Sequence, residues 1–213
     1  MNPTAVRIWQ TVWSWIGPQD GAGLHEWVRG RSWALRLPLL LLCAWMLLAW
    51  IGNPDRWTWF SGLDLGIHEA GHLLTRYFGD VICAAAGSTA QCLAPLIAMV
   101  VFLRQSDYFA LGLCLTWLAS NLFYVALYVA DASAMALPLV SVGGGEVHHD
   151  WNFLLEEFNL LGHEDTFATL LRIAGYACAA GGVGWSAWVL WLMARPPEPD
   201  VIATSPDRPR QRN

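Results

Sequence analysis

Residues 108–130 read YFALGLCLTWLASNLFYVALYVA, a run without a single charged side chain. As a helix it would rise about 35 Å at roughly 1.5 Å per residue, enough to cross a hydrocarbon slab of about 30 Å. On either side, comparable apolar runs lie near 34–51, 83–103 and 173–194, which gives four expected crossings. The 213 residues are 55% hydrophobic and only 14% charged, more apolar matter than one water-soluble core can take up. The expected fold is therefore all-α, a polytopic membrane helix bundle of about four full spans.

The flanks of these runs carry the signs of a membrane interface. Most of the fourteen tryptophans gather where the runs begin or end: Trp9, Trp13, Trp15, Trp27, Trp33, Trp50, Trp57, Trp59, Trp185, Trp188 and Trp191. Aromatic belts at headgroup level have this distribution, whereas Trp117, in mid-run, reads as packing mass. Five cysteines are scattered in or beside apolar runs without a C-x-x-C pair and read as small apolar packers. There is no lysine, and no basic patch that would suit nucleic acid.

Three regions follow: an amphipathic N-terminal interfacial segment over 1–32, broken at Gly17-Pro18; a membrane-embedded domain over 33–195; and a polar, proline-rich tail over 196–213 expected to be disordered. Arg7 and Gln19-Asp20-Gly21 interrupt any signal-peptide core in the first 30 residues. Between the first two spans, the composition predicts a short, weakly apolar helix from Leu63 to Phe78 closed by Gly79. Residues 139–150 form a glycine-rich loop. Trp151–Leu161 reads as an amphipathic surface helix with Asp150 as its cap, and Gly175, Gly181, Gly182 and Gly184 permit close packing of the last span.

The short helix carries His68-Glu69-Ala70-Gly71-His72. Histidines four apart share a helix face and can bind one metal through neutral imidazole nitrogens, with Glu69 on the adjoining face. A metal in such a site lowers the pKa of a water, and the glutamate takes its proton as the water attacks a carbonyl. Ala70 and Gly71 leave room for a neighbouring helix or an extended substrate. A charged triplet in a membrane setting needs a reason, which speaks against chance.

A catalytic zinc needs a third protein ligand. Asp150, His149 and Asp131 are the leading candidates, with His148 and His163 behind them, and two of them could act together as ligand and orienting partner. Gln91 and Asn121 lie inside spans, where buried amides hold helices together or hold a substrate backbone.

At His68, Glu69 and His72, and more diffusely over 34–190 through Gly87-Ser88, Gln91 and Asn121, the chain resembles the site-2 protease class of intramembrane zinc metallopeptidases. The resemblance implies Zn2+, His68 and His72 as ligands, Glu69 as the base, and hydrolysis of a membrane protein or peptide substrate near the bilayer. That class takes its third ligand from a later Asp-Gly motif; here the Asp-Gly pair is Asp20-Gly21, upstream of the histidines. The alternatives are a catalytically inactive metal-binding membrane scaffold protein and a metal transporter. Glu69 weighs against the first, and the clustering of polar residues toward one side weighs against the second.

Topology is read from arginine. If the short helix returns to the face it entered, Arg7, Arg29, Arg31, Arg36, Arg104, Arg195, Arg208, Arg210 and Arg212 share one side, with Arg56, Arg76 and Arg172 opposite. The positive-inside rule then makes the chain a multi-pass cell-membrane protein with its site on the outer side.

Overall fold

The structure is a computed structural model that describes residues 3–21, 23–138 and 149–195. Its elements are all helical: α1 (Pro3–Ile16), α2 (Leu24–Trp27), α3 (Leu37–Gly52), α4 (Ser61–Thr75), α5 (Asp80–Arg104), α6 (Tyr108–Ala130), α7 (Asp150–Glu157) and α8 (Glu164–Ala194). Three of them, α5, α6 and α8, are long and apolar enough to cross a membrane. The fourth expected crossing, near 34–51, forms only the 16 residues of α3, about 24 Å of helix. Pro38 sets that start by occupying the first turn, where its missing N–H costs no hydrogen bond, and residues 34–36 form a turn ahead of it.

Other boundaries shift for similar local reasons. Helix α4 ends at Thr75, and Gly79, with φ of +95°, caps α5 instead of closing α4. Helix α8 starts well before residue 173, because Glu164 and Asp165 favour the positive end of its dipole and Gly162 (φ +91°) breaks the preceding chain. Helix α7 begins at Asp150, so the cap is His149 and not Asp150: the His149 Nδ1 accepts the Asn152 N–H at 3.1 Å.

Helix α6 is the centre of the bundle and packs along α8, α5 and α3. The α6–α8 contact is close because two glycines face each other: a Cβ on Gly182 would lie 2.6 Å from the Gly112 carbonyl oxygen, and one on Gly112 would lie 2.6 Å from that of Gly182. Gly175 lies against the Phe123 ring, whereas Gly181 and Gly184 face open space.

Apolar clusters mark the depth along the bundle. One end holds Trp27, Val28, Phe109, Val189, Leu190 and Met193. The middle holds Met46, Trp50, Ala119, Phe123 and Ala179. The opposite end holds Val125, Val129, Ala132 and Leu155. Trp27 and Trp50 are thus core residues, 5% and 1% exposed, not members of an interfacial belt, while Trp15, Trp57, Trp59 and Trp191 are exposed.

The N-terminal segment docks on the α5–α6 turn through Gln19 N–H to Arg104 O (3.1 Å), the Arg104 guanidinium on Trp15 O, and Ser106 on Asp20. At the far end Arg172 of α8 pairs with Asp55 at 3.0 Å, just after α3. From Asp55 the chain turns back inward. Thr58 reaches Ser120, halfway along α6, at 3.0 Å, and Phe60 stacks on Trp117. Helix α4 therefore starts at mid-depth and runs outward again, antiparallel to α5, with Gly71 pressed on Ala86: a Cβ there would lie 2.5 Å from the Ala86 carbonyl oxygen.

Candidate metal centre

The spacing of α4 sets one stripe of polar groups, Asp64, His68 and His72, at successive turns. Asp64 is fully buried and is held by α6, accepting from Trp117 Nε1 at 2.7 Å and Ser120 Oγ at 3.2 Å. This carboxylate locks the α4 stripe in rotation. It went unread in the sequence, although an acid one turn before a paired histidine is itself a signal. The same face meets α5 at Gly87, where a Cβ would lie 2.5 Å from His72 Nε2 and 2.6 Å from His68 Nε2. Only a glycine lets the α5 backbone pass beneath both rings.

Each ring is fixed by a partner on α5. His68 Nδ1 lies 2.9 Å from Gln91 Oε1, and His72 Nδ1 lies 2.8 Å from the Cys83 carbonyl oxygen. A carbonyl oxygen can only accept, so both Nδ1 atoms carry the hydrogen and both Nε2 atoms turn inward. They meet one atom of a third residue: Asp150 Oδ2 is 3.1 Å from His68 Nε2 and 3.1 Å from His72 Nε2. Two imidazole lone pairs and a carboxylate oxygen at that distance repel unless positive charge lies among them. The donor set of two imidazoles and a carboxylate, with one ligand atom from each within 4.8 Å of one another, could hold a metal ion, and sets of this chemistry suit a divalent transition metal.

The position of Asp150 is set from α6. Tyr128 Oη accepts the Asp150 N–H at 3.1 Å and donates to its Oδ2 at 3.3 Å. Helix α7 is further tied down by Asn152 Nδ2 to Ala132 O (2.9 Å) and by Trp151 Nε1 to Ser88 Oγ (3.0 Å). Tyr128 also went unread, since a tyrosine among apolar residues near a span end looks like any belt residue.

The other expected ligands lie elsewhere. His149 turns away from the group, capping α7 with Nδ1 and placing Nε2 at 3.4 Å from Asp131 Oδ2; burial pushes its pKa down. Asp131 closes the turn after α6 by accepting from the N–H groups of Ala136 and Leu137 at 3.0 and 2.9 Å. His163 is exposed ahead of α8, and His148 lies outside the described residues. Among the described residues, His68, His72 and Asp150 are the group that could hold a metal.

Glu69 is half-buried beside His68, on the side of α4 near Tyr124. Gln91 and Asn121 are fully buried, so neither amide opens toward a substrate. Gln91 orients His68 and reaches Asn121 O at 3.5 Å, and Asn121 Nδ2 bonds back to Trp117 O at 3.1 Å. Comparison with protein-family models, curated proteins and solved structures returns no match to this chain.

Proposed function

We propose that the chain is a membrane-embedded zinc metallopeptidase that hydrolyses peptide bonds of membrane-anchored or membrane-adjacent proteins. The observation that carries this reading is the convergence of His68 Nε2, His72 Nε2 and Asp150 Oδ2, with Glu69 next in sequence to one of the ligands. His68, His72 and Asp150 would hold the ion, which when bound supplies Lewis acidity and an acidified water. Gln91 and the Cys83 carbonyl keep the two imidazoles in the ligating tautomer. The Glu69 carboxylate takes the proton of the attacking water and returns it to the leaving amine, the usual exchange for a base at this position.

In the membrane we take α3, α5, α6 and α8 as crossings, the Trp33–Arg36 turn adding to the length of α3, and α4 as an arm that enters and leaves by one face. The ion pair Arg172–Asp55 and the docking of Trp15 on Arg104 support this division of the arginines between two ends. The nine-arginine end is then cytoplasmic and the metal centre lies on the outer side.

Two variants test the function. His68→Ala is expected to abolish stoichiometric zinc in the purified protein. Glu69→Gln is expected to keep the zinc and lower peptide cleavage by about 100-fold or more, the usual worth of a general base. Full cleavage by Glu69→Gln would overturn the mechanism.

A further inference from the structure

Asp150 is the ligand with the least support from its own element. Helix α7 has only eight residues, too few to persist alone in water, and Asp150 is its first residue, where a helix leaves its N–H groups without internal partners. Histidines 68 and 72, by contrast, lie within a 15-residue helix clamped by α5 and α6.

The anchors of the α7 N-terminus divide into two kinds. Asn152 on Ala132 O, Trp151 on Ser88, His149 beside Asp131 and the burial of Leu155 hold the helix as a body. One group touches the ligand itself. The Tyr128 hydroxyl accepts from the Asp150 N–H and donates to Asp150 Oδ2, the same oxygen that faces both imidazoles. A phenol has one hydrogen to give and lone pairs to receive, so both bonds form at once and fix the Asp150 backbone and carboxylate together. The Tyr128 ring is itself held, with its centroid 4.3 Å from that of His149 and 5.9 Å from that of His68.

We propose that Tyr128 is the positioning residue of the metal centre, setting its affinity by orienting the Asp150 carboxylate toward the two imidazoles. The proposal rests on the metal-binding reading given above. Loss of an orienting partner of this kind weakens metal binding about 10- to 100-fold.

The test is a competition titration of Zn2+ against a chromophoric chelator, on the full chain in detergent. It compares the parent, Tyr128→Phe, Asp150→Ala and the double variant. Phenylalanine keeps the ring between His149 and His68 and removes only the hydroxyl. Tyr128→Phe is expected to raise the zinc Kd about 10- to 100-fold in the parent and less than about twofold in the Asp150→Ala background, because a residue acting through Asp150 has nothing left to orient. An unchanged Kd in Tyr128→Phe overturns the proposal. Equal weakening in both backgrounds also overturns it, since a general structural role would be additive. A parent that binds no zinc overturns the metal-centre reading itself, an outcome distinct from the other two.

Discussion

Replacing Gly87 by alanine adds one methyl group at the most crowded point of the centre. The new Cβ would lie 2.5 Å from His72 Nε2 and 2.6 Å from both Nε2 and Cε1 of His68, where ordinary contact begins at 3.4 Å. Relief therefore needs a movement of about 1 Å, several times the roughly 0.2 Å that a metal–ligand distance tolerates. The rings cannot give way freely, because their Nδ1 atoms are tied to Gln91 and to the Cys83 carbonyl on the same helix that carries the methyl. Helix α5 itself gains, alanine being about 1 kcal/mol better than glycine in a helix interior. Gly87→Ala should thus keep the helical fold and lose at least about 100-fold in zinc affinity, beyond the usual range for an outer partner. Competition titration measures the affinity, and circular dichroism with thermal unfolding of the metal-free protein measures the fold. Gly181→Ala, where a Cβ meets nothing within 4 Å, is the control. Parent-like zinc affinity in Gly87→Ala would refute the geometry of the site.

Gln91→Leu removes the acceptor for His68 Nδ1 and should weaken zinc about 10- to 100-fold, read by the same titration; it also leaves a buried N–H unpaired, at about 1–3 kcal/mol. Unchanged affinity would show that the Gln91 contact does not orient the ring. For topology, cysteines placed at Glu26 and at Gln105 in an otherwise cysteine-free chain should be labelled by an impermeant thiol reagent from the same face of sealed vesicles, because α3 and α5 cross between them and α4 does not. Labelling of the two from opposite faces would reject the assignment of α4 as a returning arm.

The parts of this molecule legible in its sequence are those decided by local composition. The run 108–130 is uncharged throughout and becomes α6 with the same limits; the histidine spacing places two ligand atoms on one face of α4. What the sequence hides depends on contacts between distant segments. His149 and Asp150 are neighbours with similar ligand chemistry, and the start of α7 falls between them, with His149 extended and Asp150 helical. The docking of α7 on Tyr128 and Ala132 decides which one faces the histidines. Gln91 reads as an amide bridging helices, and it does so; that its oxygen also orients His68 follows from the α4–α5 register. Trp27 and Trp50 share the composition of their exposed counterparts and differ only in what covers them.

On the proposed reading, the Arg172–Asp55 pair also sets how deep the metal centre would sit. Phe123 of α6 lies against Gly175 of α8; Tyr128 is five residues beyond the first, and Arg172 is three residues before the second. At about 1.5 Å per residue along antiparallel helices, the backbones of Tyr128 and Arg172 stand within roughly 3 Å of the same height. A paired guanidinium belongs where hydrocarbon gives way to headgroups. A metal centre level with it would be supplied by interfacial water, and the proposed hydrolysis would then require no aqueous passage across the hydrocarbon. For the proposed substrate, a scissile bond at this height would have left the region where backbone groups must bond to one another. Water can replace the hydrogen bonds of an opened helical turn there, and the strand that enters the centre can be extended without unwinding a whole span.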